Sequence, residues 1–258
     1  MEQEHQQRYY ELGKTYWWLA GKYRIIQDVV ARTARGSARG RRVLDLGCGP
    51  GNLLDFLVPH GDTYGSDFSA DALRFCTARG YHRLFRADFQ QLPIKSDSFD
   101  LVTCIDVLEH IEDDRRAVAE LQRILRPEGV LVVSVPAFRA LWGDHDALYG
   151  HHRRYRTGEV RERLEAAGFR MLKLSYFEPL FFLPLWLYRN VKKLTLRKGG
   201  IEERDDFVKL PTAVNALLTH VIAAERFPLR HMSFPFGVTL LAVAEKPGPL
   251  PVPARQLA

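Results

Sequence analysis

The chain has 258 residues, 46% hydrophobic and 26% charged, enough apolar material for one large domain or one domain carrying a sizeable insertion. Its 37 basic and 31 acidic residues leave a net charge of +6 at pH 7, which suits an anionic surface or substrate as readily as an ordinary soluble protein. Cys48, Cys76 and Cys104 lack any CxxC spacing and the first residues lack an apolar run, which argues against a disulfide framework, a zinc ribbon and a secretory leader, and leads to the expectation of a cytoplasmic protein.

Residues 1–40 read as a helical lid or cap segment, in which Tyr16, Trp17 and Trp18 followed by Lys22 and Arg24 form an amphipathic pattern. From residue 41 short apolar runs alternate with helical stretches. Strands are predicted over 43–46, 63–67 and 84–87, separated by helices over 52–58 and 70–79. Ser69 stands where an N-cap belongs and Gly80 where a helix stops. The run 99–105 is apolar at nearly every position, as in a strand covered on both faces. A helix over 115–125, a turn at 126–129, a strand over 130–135, a helix over 158–167 and a strand over 170–176 complete a core at 41–176. Such repeated βα units imply an α/β fold with a doubly wound, mostly parallel sheet. The next strand, 238–244, lies far beyond the usual connection length. A helical insertion is therefore predicted over 177–235, between strands six and seven, followed by the last core strand at 236–246 and a Pro-rich disordered tail at 247–258.

The chemistry concentrates in Val43-Leu44-Asp45-Leu46-Gly47-Cys48-Gly49-Pro50-Gly51. A strand ends in Asp45, and Gly47, Gly49 and Gly51 let the backbone turn tightly and a ligand approach closely. Open α/β sheets bind ligands at this end of their strands, and a helix N-terminus there favours an anionic group. Asp67 closes the second strand, where a carboxylate accepts ribose hydroxyls; Asp88, followed by Phe89, closes the third. The loop reads GxGxG behind an acid rather than GxGxxG. An acid there suits a cofactor carrying an ammonium and a sulfonium and repels a pyrophosphate.

These runs, with Phe99-Asp100-Leu101-Val102-Thr103-Cys104-Ile105-Asp106-Val107-Leu108-Glu109-His110 and Leu125-Arg126-Pro127-Glu128-Gly129-Val130-Leu131-Val132-Val133-Ser134-Val135-Pro136, resemble the class I S-adenosylmethionine-dependent methyltransferases. Among these the resemblance is to the small-molecule group that includes the ubiquinone-biosynthesis O-methyltransferases, strong over residues 42–136 and weak on the flanks. It implies a Rossmann-like fold with a seven-stranded sheet and S-adenosyl-L-methionine as cofactor, leaving S-adenosyl-L-homocysteine as product. It also implies roles for residues: Asp45 and the Gly47–Gly51 loop with Cys48 at the methionine end, Asp67 at the ribose, Phe68 on one adenine face, Asp88 and Phe89 at the adenine edge, and Ile105 beside the cofactor.

On the acceptor side, Asp106, Glu109 and His110 share a face if they open a helix, a spacing that could bind a divalent metal; a structural polar network is favoured, and no metal is expected. The chain reads Cys104-Ile105-Asp106-Val107 where methyltransferases of amino groups carry an Asn/Asp-Pro-Pro-aromatic motif. After strand five, Trp142-Gly143-Asp144-His145-Asp146 and Gly150-His151-His152-Arg153-Arg154-Tyr155 fall on the rim where an acceptor would sit. His145 beside Asp146 is the first choice of general base, with His110 and Asp106 behind it. Trp18, Trp142, His151, Arg153 and Tyr155 are the expected acceptor contacts, arginine forks suiting a carboxylate or phosphate.

Residues 177–188 are aromatic-rich, too short and too interrupted by Pro179 and Pro184 to span a bilayer, and followed by Arg189, Lys192, Lys193, Arg197 and Lys198. That composition suits a peripheral membrane contact at the inner face, the wall of an apolar acceptor pocket, an oligomer contact or a packed helix. Nucleic acid is not expected, since no RNA-binding motif is visible. The expected function is methyl transfer to a small or lipid-linked acceptor at oxygen; the alternatives are a protein or RNA methyltransferase and a non-catalytic cofactor-binding regulator.

Overall fold

The computed structural model describes residues 2–34, 37–195 and 210–249. Most of the tail expected to be disordered, and residues 196–209 of the insertion, lie outside the described residues. Two helices lead: α1 (Glu2–Thr15) and α2 (Trp17–Thr33). Then come β1 (Arg42–Leu46), α3 (Leu54–Leu57), β2 (Asp62–Asp67), α4 (Ala70–Ala78), β3 (Leu84–Arg86), β4 (Phe99–Ile105), α5 (Asp114–Ile124) and β5 (Leu125–Pro136). The chain continues through α6 (Asp144–Leu148), α7 (Thr157–Ala166), β6 (Arg170–Phe177), α8 (Pro179–Thr195), α9 (Thr212–Ala224), α10 (Arg226–Leu229) and β7 (Thr239–Glu245).

The predicted stop and start residues act as expected. Ser69 Oγ accepts the Ala72 N–H at 3.2 Å to open α4, and Gly80 (φ 93°) ends it. Asp113 caps α5 by accepting from Arg116 N at 3.0 Å, and its apolar face, Ala117, Val118, Leu121 and Ile124, is buried. The helix predicted over 52–58 is shorter, because Pro59 passes the chain into a 3-10 turn over Val58–His60. The turn predicted at 126–129 is a kink inside β5: Glu128 takes φ 65°, and pairing with β4 shifts register between Phe99 and Leu101.

The sheet runs β3-β2-β1-β4-β5-β7-β6. The pairs β1–β2, β1–β4, β2–β3 and β4–β5 are parallel, and β7 runs antiparallel between β5 and β6. This is the doubly wound, mostly parallel seven-stranded sheet expected, with helices inserted between strands six and seven. One face packs on α5 and α7 through Val118, Leu121, Val160 and Leu164. The other packs on α2 and α9 through Ile25, Ile26, Val30 and Ile222. Order reverses between β1 and β4, which opens a crevice at the carboxyl ends of the strands.

The N-terminal pair and the insertion meet above that face. A Cβ on Gly21 would lie 2.6 Å from Ile222 Cβ, so only glycine lets α2 and α9 approach this closely. Trp17 N donates to Asn215 Oδ1 at 3.1 Å, Asn215 Nδ2 donates to Thr15 O at 2.7 Å, and the Trp17 and Trp18 rings lie 5.1 and 5.6 Å from Phe181.

Candidate functional site

The glycine loop leaves β1 as the motif requires. Gly47, Gly49 and Gly51 have φ of 75°, 51° and 84°, which side-chain-bearing residues rarely adopt. The N–H groups of Gly47 and Cys48 donate to Ser66 O at 2.7 and 3.0 Å, hanging the loop on β2. Asp67 completes the brace: its carboxylate accepts from Gly49 N and from Ser69 N, both at 2.8 Å. Burial pushes Asp67 above the usual carboxylate range, against the pull of those two N–H groups. Asp45 is 3% exposed and accepts from Thr103 Oγ1 at 2.7 Å; burial, opposed by that bond, raises its pKa to about 7.

These residues fit the expected cofactor. A Cβ on Gly49 meets nothing within 4 Å, so the loop is open there, and Asp45 is a buried acid whose pKa burial raises to about 7. Phe68 is 66% exposed at the end of β2, with the Arg86 guanidinium 4.9 Å from its ring centroid. Asp88 is exposed and accepts from Gln90 N at 2.9 Å. The Phe89 ring packs into the core, so its backbone rather than its ring is left for an adenine edge. Ile105 is half-buried, and Cys48 is buried in a small cluster with Leu54 and Cys76. Sequence reasoning missed Arg79, which donates to Pro50 O at 2.7 Å, pairs with Asp55 at 2.7 Å and lies 3.8 Å over the Tyr10 ring, tying α1 to the loop. An arginine closing a helix gives no sequence signal for this.

Val107 packs against the glycine loop. Its Cγ2 occupies the space a Cβ on Gly47 would need, at 2.2 Å, while its neighbour Asp106 faces a cavity of about 220 Å³. That cavity is walled by Tyr9, Tyr16, Trp18 and Lys22 from the N-terminal helices, Asp106, Glu109 and His110 after β4, His145, Tyr149, His151 and Arg154 after β5, and Leu185 and Arg189 of α8.

Asp106 takes φ 54° and so cannot begin a helix; Leu108–His110 forms a 3-10 turn beyond it. Its carboxylate pairs with the buried Lys22 ammonium and accepts from Ser134 Oγ at 3.0 Å. The expectation that Asp106, Glu109 and His110 share a helix face is therefore corrected. Among the described residues, those whose ligand atoms lie within 4.8 Å of one another are Glu109, His110 and His151. Glu109 is 1% exposed, burial and then Asp106 push its carboxyl well up, and its Oε2 has no hydrogen-bond partner.

Asp146 is held by residues distant in the sequence as well as by its own turn. Fully buried, it takes His151 Nδ1 at 2.9 Å, Arg154 Nε at 2.7 Å, Gly143 N at 2.8 Å and Arg189 Nη1 at 3.4 Å. Burial opposes its charge, but the His151 bond and the Arg154 guanidinium outweigh it and hold the carboxyl well below the usual range. His145 packs its ring 4.4 Å from Tyr149 and 6.0 Å from His151.

Of the expected acceptor contacts, Trp18 and His151 line the cavity; Trp142, Arg153 and Tyr155 do not. The segment before α7 runs extended, with Tyr155 bridged to Ala137, and extended chain sends alternate side chains to opposite sides. Arg154 therefore points in. Arg153 pairs with Asp114 at 3.0 Å and donates to Glu112 O at 2.7 Å, and the Tyr155 hydroxyl is a buried strut to Leu108 O and Asp114. Lys22, Tyr9 and Arg189 were missed because their place depends on how distant helices fold over the sheet.

Residues 44–133 match the family model described as "Methyltransferase domain". A ubiquinone biosynthesis O-methyltransferase of Pasteurella multocida (strain Pm70) is 26% identical over 157 residues, covering 52% of this chain and 64% of that protein. One of Bordetella avium (strain 197N) is 31% identical over 101 residues, covering 36% of this chain and 42% of the relative. The chain thus spans less than two thirds of the length of these relatives. The crystal structure of a SAM-dependent methyltransferase from Archaeoglobus fulgidus superposes with a TM-score of 0.56 at 18% identity, over 92% of this chain and 99% of that one, a likeness of fold.

Proposed function

We propose that this chain, which carries a class I S-adenosylmethionine-dependent methyltransferase domain, transfers a methyl group to an oxygen of a small or lipid-linked acceptor held in the cavity beside the glycine loop. The cofactor supplies a methyl already activated on a sulfonium, so the protein's part is to orient, exclude water and manage a proton. Asp45 holds the amino end, the Gly47–Gly51 loop the carboxylate, Asp67 the ribose and Phe68 the base. The N-terminal helices close the cavity from above: Lys22 fixes Asp106 at the rim, and Tyr9, Tyr16 and Trp18 wall it.

The observation that carries this reading is the cavity itself, lined by Asp106 at the end of β4 and by histidines, tyrosines and a tryptophan. Its size suits the polar ring of an acceptor rather than a macromolecular surface. The names of the Pasteurella and Bordetella relatives support oxygen as the acceptor atom. Along α8, Leu185 and Arg189 face the cavity while Leu180, Leu183, Leu187, Tyr188 and Val191 stay exposed. No described helix is long and apolar enough to cross a membrane. An outward apolar stripe backed by a cavity wall supports a lipid-linked acceptor reached at a membrane surface.

Incubation with methyl-labelled cofactor and a cell extract, followed by separation, tests this. Label in the lipid or small-molecule fraction is expected; label confined to protein or RNA would contradict the acceptor class, and cofactor binding without label would point to a regulator.

A further inference from the structure

We propose that His151, positioned by Asp146, is the group that takes the proton from the acceptor hydroxyl as it is methylated. The proposal rests on the methyl-transfer reading above. Its geometry is independent of any ligand. Asp146 is fully buried and receives Arg154 Nε, Gly143 N and Arg189 Nη1, so it stays ionised and can only accept. A carboxylate at 2.9 Å from His151 Nδ1 requires that nitrogen to carry the proton. In the neutral ring Nε2 then carries the lone pair, and that ring lines the cavity. The ring is fixed a second time through its own backbone, since His151 N donates to Asp146 O at 2.8 Å and closes the loop between them.

This arrangement supplies what a base needs: a ring that lines the cavity, a tautomer fixed by its carboxylate partner, and a buried negative charge to stabilise the imidazolium. In the step, the acceptor O–H bond breaks with its proton passing to Nε2. The oxygen–methyl bond forms as the donor's sulfur–methyl bond breaks, and the positive charge leaves sulfur for the imidazolium. Product release returns that proton to solvent. Among the described residues, Asp146 and His145 of α6 and Glu109 and His110 after β4 lie near the His151 ring, while Arg154 before α7 and Arg189 of α8 pair with Asp146 behind it.

The test combines two readouts on the full chain. Nitrogen-15 NMR of the histidine rings at neutral pH is expected to show His151 with protonated Nδ1 and bare Nε2, and Asp146→Asn is expected to disturb that pattern. A bare Nδ1 would overturn the proposal whether or not an acceptor is in hand. In the labelled-methyl assay on cell extract, His151→Gln is expected to lower turnover at least about 100-fold while calorimetric binding of S-adenosylhomocysteine is kept. Asp146→Asn should lower kcat with little change in KM and shift the pH profile. Full turnover in His151→Gln, or loss in His145→Gln with His151→Gln active, would overturn it. A wild-type protein that binds the homocysteine product yet labels nothing would contradict the methyl-transfer reading instead, and the NMR arm would still decide the state of His151.

Discussion

At the scale of single residues the site is a set of carboxylates given different environments. Asp45 is buried with one hydroxyl for company and titrates near pH 7, whereas Asp146 is buried among cations and stays charged. Asp45 has a consequence for binding. An ammonium beside it favours its ionised form, so the affinity for S-adenosylhomocysteine should weaken as pH falls from about 7 towards 5.5. Asp45→Asn should flatten that dependence and lower affinity; calorimetry across this range would contradict the assignment if wild type and mutant varied alike. At Gly47 the constraint is steric. The φ of 75° and Val107 Cγ2 in the place of a Cβ mean that Gly47→Ala should cost about 1–3 kcal/mol of stability, measurable as a fall in urea midpoint. A melt indistinguishable from wild type would show that the loop relaxes without strain.

At the scale of elements, the insertion is held to the core by a buried acidic clamp. Glu178, where β6 hands over to α8, donates its N–H to Glu225 Oε2 at 2.6 Å, and its own Oε2 accepts from Thr239 Oγ1 at 2.7 Å. Burial raises Glu178 to about 8 and Glu225 to about 7, from an ordinary 4.5. The folded chain therefore keeps protons that the unfolded chain has lost. The stability these groups give is fully present below about pH 4.5 and is lost as pH rises through 7 to 8. The melting temperature should fall over that window, and Glu178→Gln should reduce the slope; an unchanged slope would mean that the clamp is already relaxed. On the outer side of α8, Leu183→Glu with Leu187→Glu should abolish co-sedimentation with anionic vesicles while leaving the fold intact. If wild type fails to sediment, the membrane part of the reading falls. The sequence conveyed the core elements because local signals agree there: Ser69 and Gly80 bracket a helix, and 99–105 is apolar throughout. The glycine loop was legible because Asp45 and Gly47, Gly49 and Gly51 are contiguous in the sequence. The acceptor side is assembled from α1, α2, the loops after β4 and β5, and α8, which no local pattern aligns. That is why Arg153 and Tyr155 were expected in the cavity and Lys22 and Arg154 fill it.

For the whole molecule, the account depends on the N-terminal helices and the insertion folding over one face of the sheet. The N-terminal helices and the insertion pack on each other through Gly21 and Ile222, and through Trp17 and Asn215, so the two walls of the cavity support one another. Removing either should therefore weaken cofactor binding as well as acceptor binding. The central claim is that the glycine loop and its acids bind S-adenosylmethionine. Calorimetric titration of the full chain with S-adenosylhomocysteine, beside Asp67→Ala, tests it most directly. Asp67 makes two charge-assisted hydrogen bonds that shape the loop, each worth about 1.5–3 kcal/mol, so micromolar binding in the wild type should weaken at least about tenfold in the mutant. A folded wild-type protein that shows no heat of binding, or a mutant that binds as tightly, would contradict the account.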